Sequence, residues 1–468
     1  MNRHSVVREA LTPYGMALLC ALLLGIALRC YQLDYNLEGD EIFSVEAASG
    51  TLAHVFRVSL ADAPHPPLHN FILYAWIRIF GNSEVSVRLP SVLASGLFLV
   101  SLAWLGARIS SKFSAFLVVV LCAISPFFVY YGAQARPYAL AACLAVCSAC
   151  AMIRGLEGRG RSWILLYGIS CAALVYTQYL GTLILLPQFA YIFLFGGHLR
   201  RPLLWAGGLG VLSISPWLAL VGLDIGHQAA SRIGWIARPH ALDLAHFFLS
   251  LSGYLDVDGS TRVLLLLYVV ALGGLFVRPQ PLSPRALLLL GSLATFAPLS
   301  LWLVSRFGPF SVWASRQLAG SAAFFFLLVS AAISGYRTWV RAILATILVA
   351  WCLATVSTEF PAHSRPPWRS IASALEAEPP QTDVIALEGY VSEPLRYYSR
   401  RRTHDWKSYA SRPAKAPRLV LLCRPSHCEE LNEISKQYTL AGETLIDWVK
   451  YGATPTSRLT KYTFERNR

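Results

Sequence analysis

Long apolar runs dominate the chain between residues 13 and 357, at about 13–31, 87–107, 113–131, 138–153, 163–177, 181–196, 203–221, 263–277, 285–304, 317–334 and 340–357. An α-helix needs roughly 20 mostly apolar residues to cross ~30 Å of hydrocarbon, so the pattern predicts about eleven transmembrane helices. The first run lacks a small-x-small cleavage site and is expected to remain as a span rather than leave as a signal peptide. Two of the polar stretches between runs are long, 32–86 and 222–262, and the others are short.

After residue 357 the pattern changes. Charged residues become frequent and no run is long enough to span. Asp383–Leu387 and Arg418–Cys423 read as short buried strands, and Pro367–Glu378 and Ser426–Tyr438 as helices, the second with an acidic first turn that suits the helix dipole. Glu443–Tyr451 and Arg458–Glu465, parted by Gly452-Ala-Thr-Pro455, read as a hairpin. The fold class is therefore mainly α: a polytopic membrane domain over residues 1–357, followed by a small C-terminal α/β domain over residues 358–468.

Composition agrees. The 468 residues are 55% hydrophobic and only 14% charged, against about 25% charged in soluble proteins. A soluble enzyme, a disordered chain and a disulfide-rich secreted domain are all excluded. Charge then orients the spans. With the N-terminus in the cytoplasm, the segments on that side hold thirteen basic residues, including Arg108, Lys112, Arg154, Arg200 and Arg341, against two acids, Glu9 and Glu157. The opposite side holds ten basic residues and eleven acids up to residue 357. Basic residues concentrate in short cytoplasmic loops, so the C-terminal domain is expected on the periplasmic or extracellular side. The net charge of +14 is partly this topology signal, and without a basic face or an aromatic-basic motif it does not point to nucleic acid.

Eight of the ten cysteines lie in or beside the spans, where Cys acts as a small apolar residue. Cys423 and Cys428 stand apart in the outer domain and could form a disulfide in an oxidising compartment. No His/Cys cluster with zinc spacing occurs.

Seven of the eleven outer acids fall between the first two spans: Asp34, Glu38, Asp40, Glu41, Glu46, Asp62 and Glu84. Adjacent acids after a glycine, where a membrane helix emerges, are costly to desolvate unless paired or bound to a cation. Asp40 and Glu41 equally suit a plain role, charging the first turn of an interfacial helix. The order decides between these. Asp40-Glu41, then His65-Pro66-Pro67-Leu68, then Phe80-Gly81 with Arg88-Leu89-Pro90, resembles the protein mannosyltransferase-like membrane glycosyltransferases (glycosyltransferase family 39, GT-C type), which use a polyprenyl-phosphate sugar. The likeness extends through Tyr131-Gly-Ala-Gln134-Ala-Arg136-Pro-Tyr138 and Tyr176-Thr-Gln178-Tyr179 to Ser315-Arg316-Gln317 and Trp368-Arg369.

The resemblance implies a GT-C fold and an inverting transfer from a polyprenyl-phosphate sugar to a hydroxyl of a glycan, lipid or protein, on the outer face of a bacterial inner (plasma) membrane. It makes Asp40 the general base. The departing prenyl phosphate gains negative charge, so fixed cations or a metal should face its oxygens. Arg88, Arg136 and Arg316 are candidates because a guanidinium forks onto phosphate, with Tyr138 and Tyr179 beside them as substrate contacts. Each arginine also suits a simpler role, snorkelling to anchor a helix end. His65 has three readings: part of a rigid helix start set by its prolines, a ligand to a divalent cation together with Glu41, or a hydrogen-bond donor to phosphate. Gln178 departs from the pattern, since relatives often carry His there. Two competing classes are a lipid-linked sugar transporter and a non-catalytic scaffold of envelope polysaccharide assembly. The spans carry no Asp, Glu or Lys near their middles, which disfavours the transporter.

Overall fold

The computed structural model describes residues 12–31, 33–62, 64–222, 236–255, 257–277, 279–359, 367–387, 389–411, 416–424, 428, 430–448 and 457–467. The chain divides into two compact units: Met1–Leu33 with Ala47–Val356, and Asp34–Glu46 with Ser357–Arg468.

The first unit is helical, with a helix at every predicted run. Among the described residues seven helices are long and apolar enough to cross a membrane: Pro13–Cys30, Glu84–Ile109, Tyr138–Leu156, Gly197–Val221, Pro284–Phe307, Ser315–Ser334 and Thr338–Thr358. An eighth span is broken, its halves Lys112–Ile124 and Pro126–Gly132 meeting at 64°. The remaining predicted runs form the shorter helices Arg161–Thr177, Leu180–Phe195 and Ser260–Phe276. Ala319–Ser334 lies at the centre, with nearly every side chain buried. Lipid is as apolar as a leucine side chain, so helices here associate by close packing of small residues. The Arg161–Thr177 and Arg200–Leu212 helices cross at Gly168 and Gly210, where a Cβ on Gly210 would sit 2.4 Å from the Gly168 carbonyl oxygen.

The broken span places the Tyr131–Tyr138 motif. Pro126 has no N–H to offer the Cys122 carbonyl, so the helix must stop and restart. Ser125 caps the new start, its hydroxyl accepting from the Phe128 N–H at 3.4 Å. The carbonyls left at the break are taken by Arg29, which is 1% exposed. Its guanidinium donates to Cys122 O at 3.0 Å, Ala123 O at 3.2 Å and Gly25 O at 2.7 Å. A cation at a helix C-terminus also suits the dipole. Sequence reading passed over Arg29 because it resembles an ordinary basic residue at a span end. Arg29→Met should leave the Cys122 and Ala123 carbonyls without a donor at about 1–3 kcal/mol each. The expected loss is therefore about 2–6 kcal/mol, measurable as a lower unfolding temperature of the detergent-solubilised protein.

The second unit holds a five-stranded sheet: β1 (Thr382–Ala386), β2 (Thr403–His404), β3 (Arg418–Cys423), β4 (Tyr438–Trp448) and β5 (Ser457–Arg466). The order is β2-β1-β3-β5-β4. β1 runs parallel to β2 and β3, and β5 is antiparallel to β3 and β4. β1 and β3 are apolar on both faces, as buried parallel strands must be. Val384, Ala386, Val420 and Leu422 pack on one side against Trp368, Ile371, Leu375, Val391 and Leu395. On the other side Ile385, Leu419, Leu421 and Cys423 meet Trp406, Tyr409, Ile434 and Tyr438. The expected hairpin is the β4–β5 pair, and Cys423 and Cys428 are joined by a disulfide.

Two expectations need correction. The helix expected over Ser426–Tyr438 shrinks to Leu431–Ile434, with residues 426, 427 and 429 outside the described set; Tyr438 opens β4, where an aromatic followed by a β-branched residue pairs well. A helix, Gly389–Tyr398, forms around Pro394. Val391, Leu395 and Tyr398 recur in it at helical spacing and line the sheet. Finally, Asp34–Glu46 belongs to the second unit rather than to the membrane domain of residues 1–357. The Leu37 N–H donates to the Tyr398 hydroxyl at 2.7 Å, the Arg369 N–H to Asn36 Oδ1 at 3.1 Å, and Arg396 pairs with Glu46 at 3.4 Å.

Candidate active site

In the second unit Asp40 and Glu41 open the helix Gly39–Ala48. Glu41 is fully buried, and its Oε2 accepts from the Glu38 N–H at 3.1 Å. Glu38 precedes the helix and Glu41 is its third residue, so this is the carboxylate arm of a capping box. Asp40, the next residue outward, is exposed. The two adjacent acids therefore differ in role: Glu41 ties down the helix start and Asp40 faces out from it. Its chemistry suits proton abstraction.

Glu393, on the helix Gly389–Tyr398, answers to the same group. Partial desolvation of this exposed side chain pushes its carboxyl above the ordinary range; Arg396 opposes this, and the charges of Glu46 and Asp40 add to it. A carboxyl that binds its proton more tightly when folded costs stability as pH rises. The cost begins at the ordinary glutamate value of about 4.3 and is complete above the raised folded value. Glu393→Gln should therefore unfold at a higher temperature than the wild type at pH 7, and the difference should vanish at pH 4.

In the first unit, Asp62, His65 and Arg136 form a chain. His65 Nδ1 lies 3.0 Å from Asp62 Oδ2, and its Nε2 lies 3.4 Å from Arg136 Nη2. Guanidinium N–H groups only donate, so Nε2 accepts and Nδ1–H donates to the carboxylate. Asp62 and Arg136 are both buried, and the Arg136 guanidinium stands over the Tyr138 ring, 5.8 Å from its centre. His69, one turn beyond His65, donates Nε2–H to the Ala135 carbonyl at 3.2 Å. Burial first, then the Arg136 charge, lower its pKa to about 3, so it stays neutral. The Asp62···His65 spacing of three was the available signal for this chain, and the carboxylate was not singled out from sequence.

The remaining candidates divide. Tyr179 lies within reach of the Asp62 charge, its phenol pushed upward chiefly by burial, and its oxygen accepts from Trp217 Nε1 at 3.2 Å. Gln178 hydrogen-bonds Gln317, which joins the Tyr179 turn to the turn carrying Arg316. Arg88 is fully buried and donates to the Leu33 carbonyl at 2.7 Å, an arrangement that fastens the end of the first span. Beside the helix that follows Tyr179, Leu186, Tyr191, Leu194, Leu288 and Phe296 line an apolar groove of about 350 Å³.

The pairing of Glu41 with His65 as metal ligands does not fit this arrangement. Glu41 caps its helix, and both ring nitrogens of His65 are engaged. Among the described residues no three His, Cys, Asp or Glu side chains gather as a metal set.

Comparison with known proteins bears on this arrangement. Residues 64–219, which carry His65, Arg136 and Tyr179, match the family model described as dolichyl-phosphate-mannose-protein mannosyltransferase. The chain has the fold of the solved proteins ArnT and AftD, and the family model covers a third of its length. Its likeness to solved structures is strong at the level of fold. ArnT from Cupriavidus metallidurans, solved bound to undecaprenyl phosphate, superposes with a TM-score of 0.59 at 13% identity, covering 96% of this chain and 97% of that one. The apo form of that protein gives a TM-score of 0.60 at the same identity, covering 95% and 97%. The arabinofuranosyltransferase AftD from Mycobacteria matches 96% of this chain with a TM-score of 0.53 at 14% identity, over 40% of its own length. No curated protein sequence matches the chain.

Proposed function

We propose that this chain transfers a sugar, with inversion, from a polyprenyl-phosphate carrier to a hydroxyl of a glycan, lipid or protein on the outer face of a bacterial plasma membrane. The observation that carries the reading is the buried Arg136, locked between His65 and Tyr138 inside the segment that matches the mannosyltransferase family. A guanidinium held in place before substrate arrives stabilises developing charge without reorganising in the transition state. The excess of basic residues on one side of the short loops supports the orientation.

The chemistry follows from the charges. The acceptor hydroxyl attacks the anomeric carbon as the bond to the carrier phosphate breaks, so configuration inverts in one displacement. Asp40 takes the hydroxyl proton, a contribution worth roughly 10²–10⁴-fold. The leaving phosphate gains a negative charge, which Arg136 and Arg316 stabilise by charge-assisted hydrogen bonds. Tyr138 and Tyr179 line the same turns as substrate contacts. The apolar groove beside the Leu180–Phe195 helix suits the prenyl tail, since it buries hydrocarbon next to hydrocarbon.

The test is a transfer assay. Purified protein in detergent is given a polyprenyl phosphate carrying radiolabelled sugar, together with extracted envelope glycans and lipids as acceptors. Label should leave the carrier for an acceptor. Label that stays on the carrier and merely crosses a vesicle membrane would favour transport and overturn the proposal.

A further inference from the structure

The short segment that carries Asp40 is held by the C-terminal chain at three points, and these flank the carboxylate on both sides. Two precede it. The Leu37 amide is fully buried and donates to the Tyr398 hydroxyl oxygen at 2.7 Å. The buried Asn36 side chain accepts from the Arg369 N–H at 3.1 Å. The third follows, where Glu46 pairs with Arg396 at 3.4 Å across an exposed gap. An exposed ion pair contributes little by itself, whereas a buried amide without its acceptor is costly. Tyr398 and Asn36 are therefore the stronger of the three holds.

From Leu37 the register runs directly to the base. Glu38 caps the helix through Glu41, Ile42 and Val45 are buried, and Asp40 sits in the first turn. A shift of the Leu37 amide would move this helix start and the Asp40 carboxylate with it. Tyr398 and Arg396 lie on the same helix as Glu393, whose charge acts on Asp40. The helix Trp368–Glu376 brings Arg369 to Asn36, while its Glu376 accepts from the Arg400 N–H. Asp383 and His404 of β1 and β2 interact with Tyr409.

We propose that Tyr398 is a positioning residue for glycosyl transfer: by holding the Leu37 amide it sets where the Asp40 carboxylate stands. The C-terminal unit thereby serves the proton-transfer step rather than donor binding. The proposal rests on the reading of Asp40 as the general base. Displacing a reacting group by about 1 Å can cost 10²-fold in rate, so the effect belongs in kcat.

The experiment uses the full chain in detergent. Tyr398→Phe removes the oxygen that receives the Leu37 N–H, and Asn36→Ala removes the neighbouring acceptor. Each should lower kcat by about 10–100-fold, with the KM for the lipid-linked sugar and the binding of unlabelled polyprenyl phosphate unchanged. Asp40→Asn is run alongside. Should Tyr398→Phe fail to fold, Asn36→Ala decides alone. Wild-type kcat in the folded variants, or a loss confined to donor KM, overturns the positioning role while inactive Asp40→Asn leaves the base in place. Full activity of Asp40→Asn instead removes the base, and the inference with it.

Discussion

Asp40→Asn should lower transfer from the lipid carrier by roughly 10²–10⁴-fold, the contribution of a positioned general base, with carrier binding unchanged. Asparagine keeps the size of aspartate but loses its negative charge and with it the ability to take a proton. The substitution leaves the fold alone because the helix start depends on Glu41, whose buried carboxylate holds the Glu38 amide, and Asp40 is exposed. Single-turnover transfer and equilibrium carrier binding, measured on the same preparation, separate the two effects. A normal rate would take Asp40 out of the chemistry.

Arg136→Gln should reduce turnover by about 10²–10³-fold, the scale of losing one donor to charge that develops in the transition state. Unlike Asp40→Asn, it should also weaken binding of the carrier phosphate, because the guanidinium meets that charge before the reaction as well as during it. A second readout is independent of activity. The Arg136 charge is one of the groups that hold His69 near a pKa of about 3, so its removal should raise that value, observable by NMR titration of the ring. Burial remains the larger cause, so the rise is partial and His69 stays neutral at pH 7. Unchanged carrier affinity would move the phosphate elsewhere.

These two residues stood out in the sequence for different reasons. Asp40 lay in an acid-rich stretch just past a span, and Arg136 followed a span end in a tyrosine-rich turn. Neither position revealed its partners. Asp62 and His65 are three residues apart and their pairing was within reach of helical spacing, but the link from His65 to Arg136 joins positions 71 residues apart. Nothing local distinguishes an arginine that anchors a helix end from one that a histidine holds. Arg88 looked like Arg136 in sequence and is fully buried against the Leu33 carbonyl. Glu41 looked like a metal ligand beside Asp40, yet its spacing from Glu38 makes it a helix cap.

The sequence by itself determined where the helices are, because a segment in hydrocarbon must satisfy its backbone internally and be apolar along its whole length. It also determined the change to an α/β domain after residue 357. Only the tertiary structure decided that Asp34–Glu46 joins the C-terminal unit, that Arg29 answers the carbonyls freed at Pro126, and which of two neighbouring acids is exposed. Composition and periodicity are properties of short windows. A hydrogen bond from Leu37 to Tyr398, or from Arg29 to Cys122, depends on where distant segments meet, and packing alone brings them together.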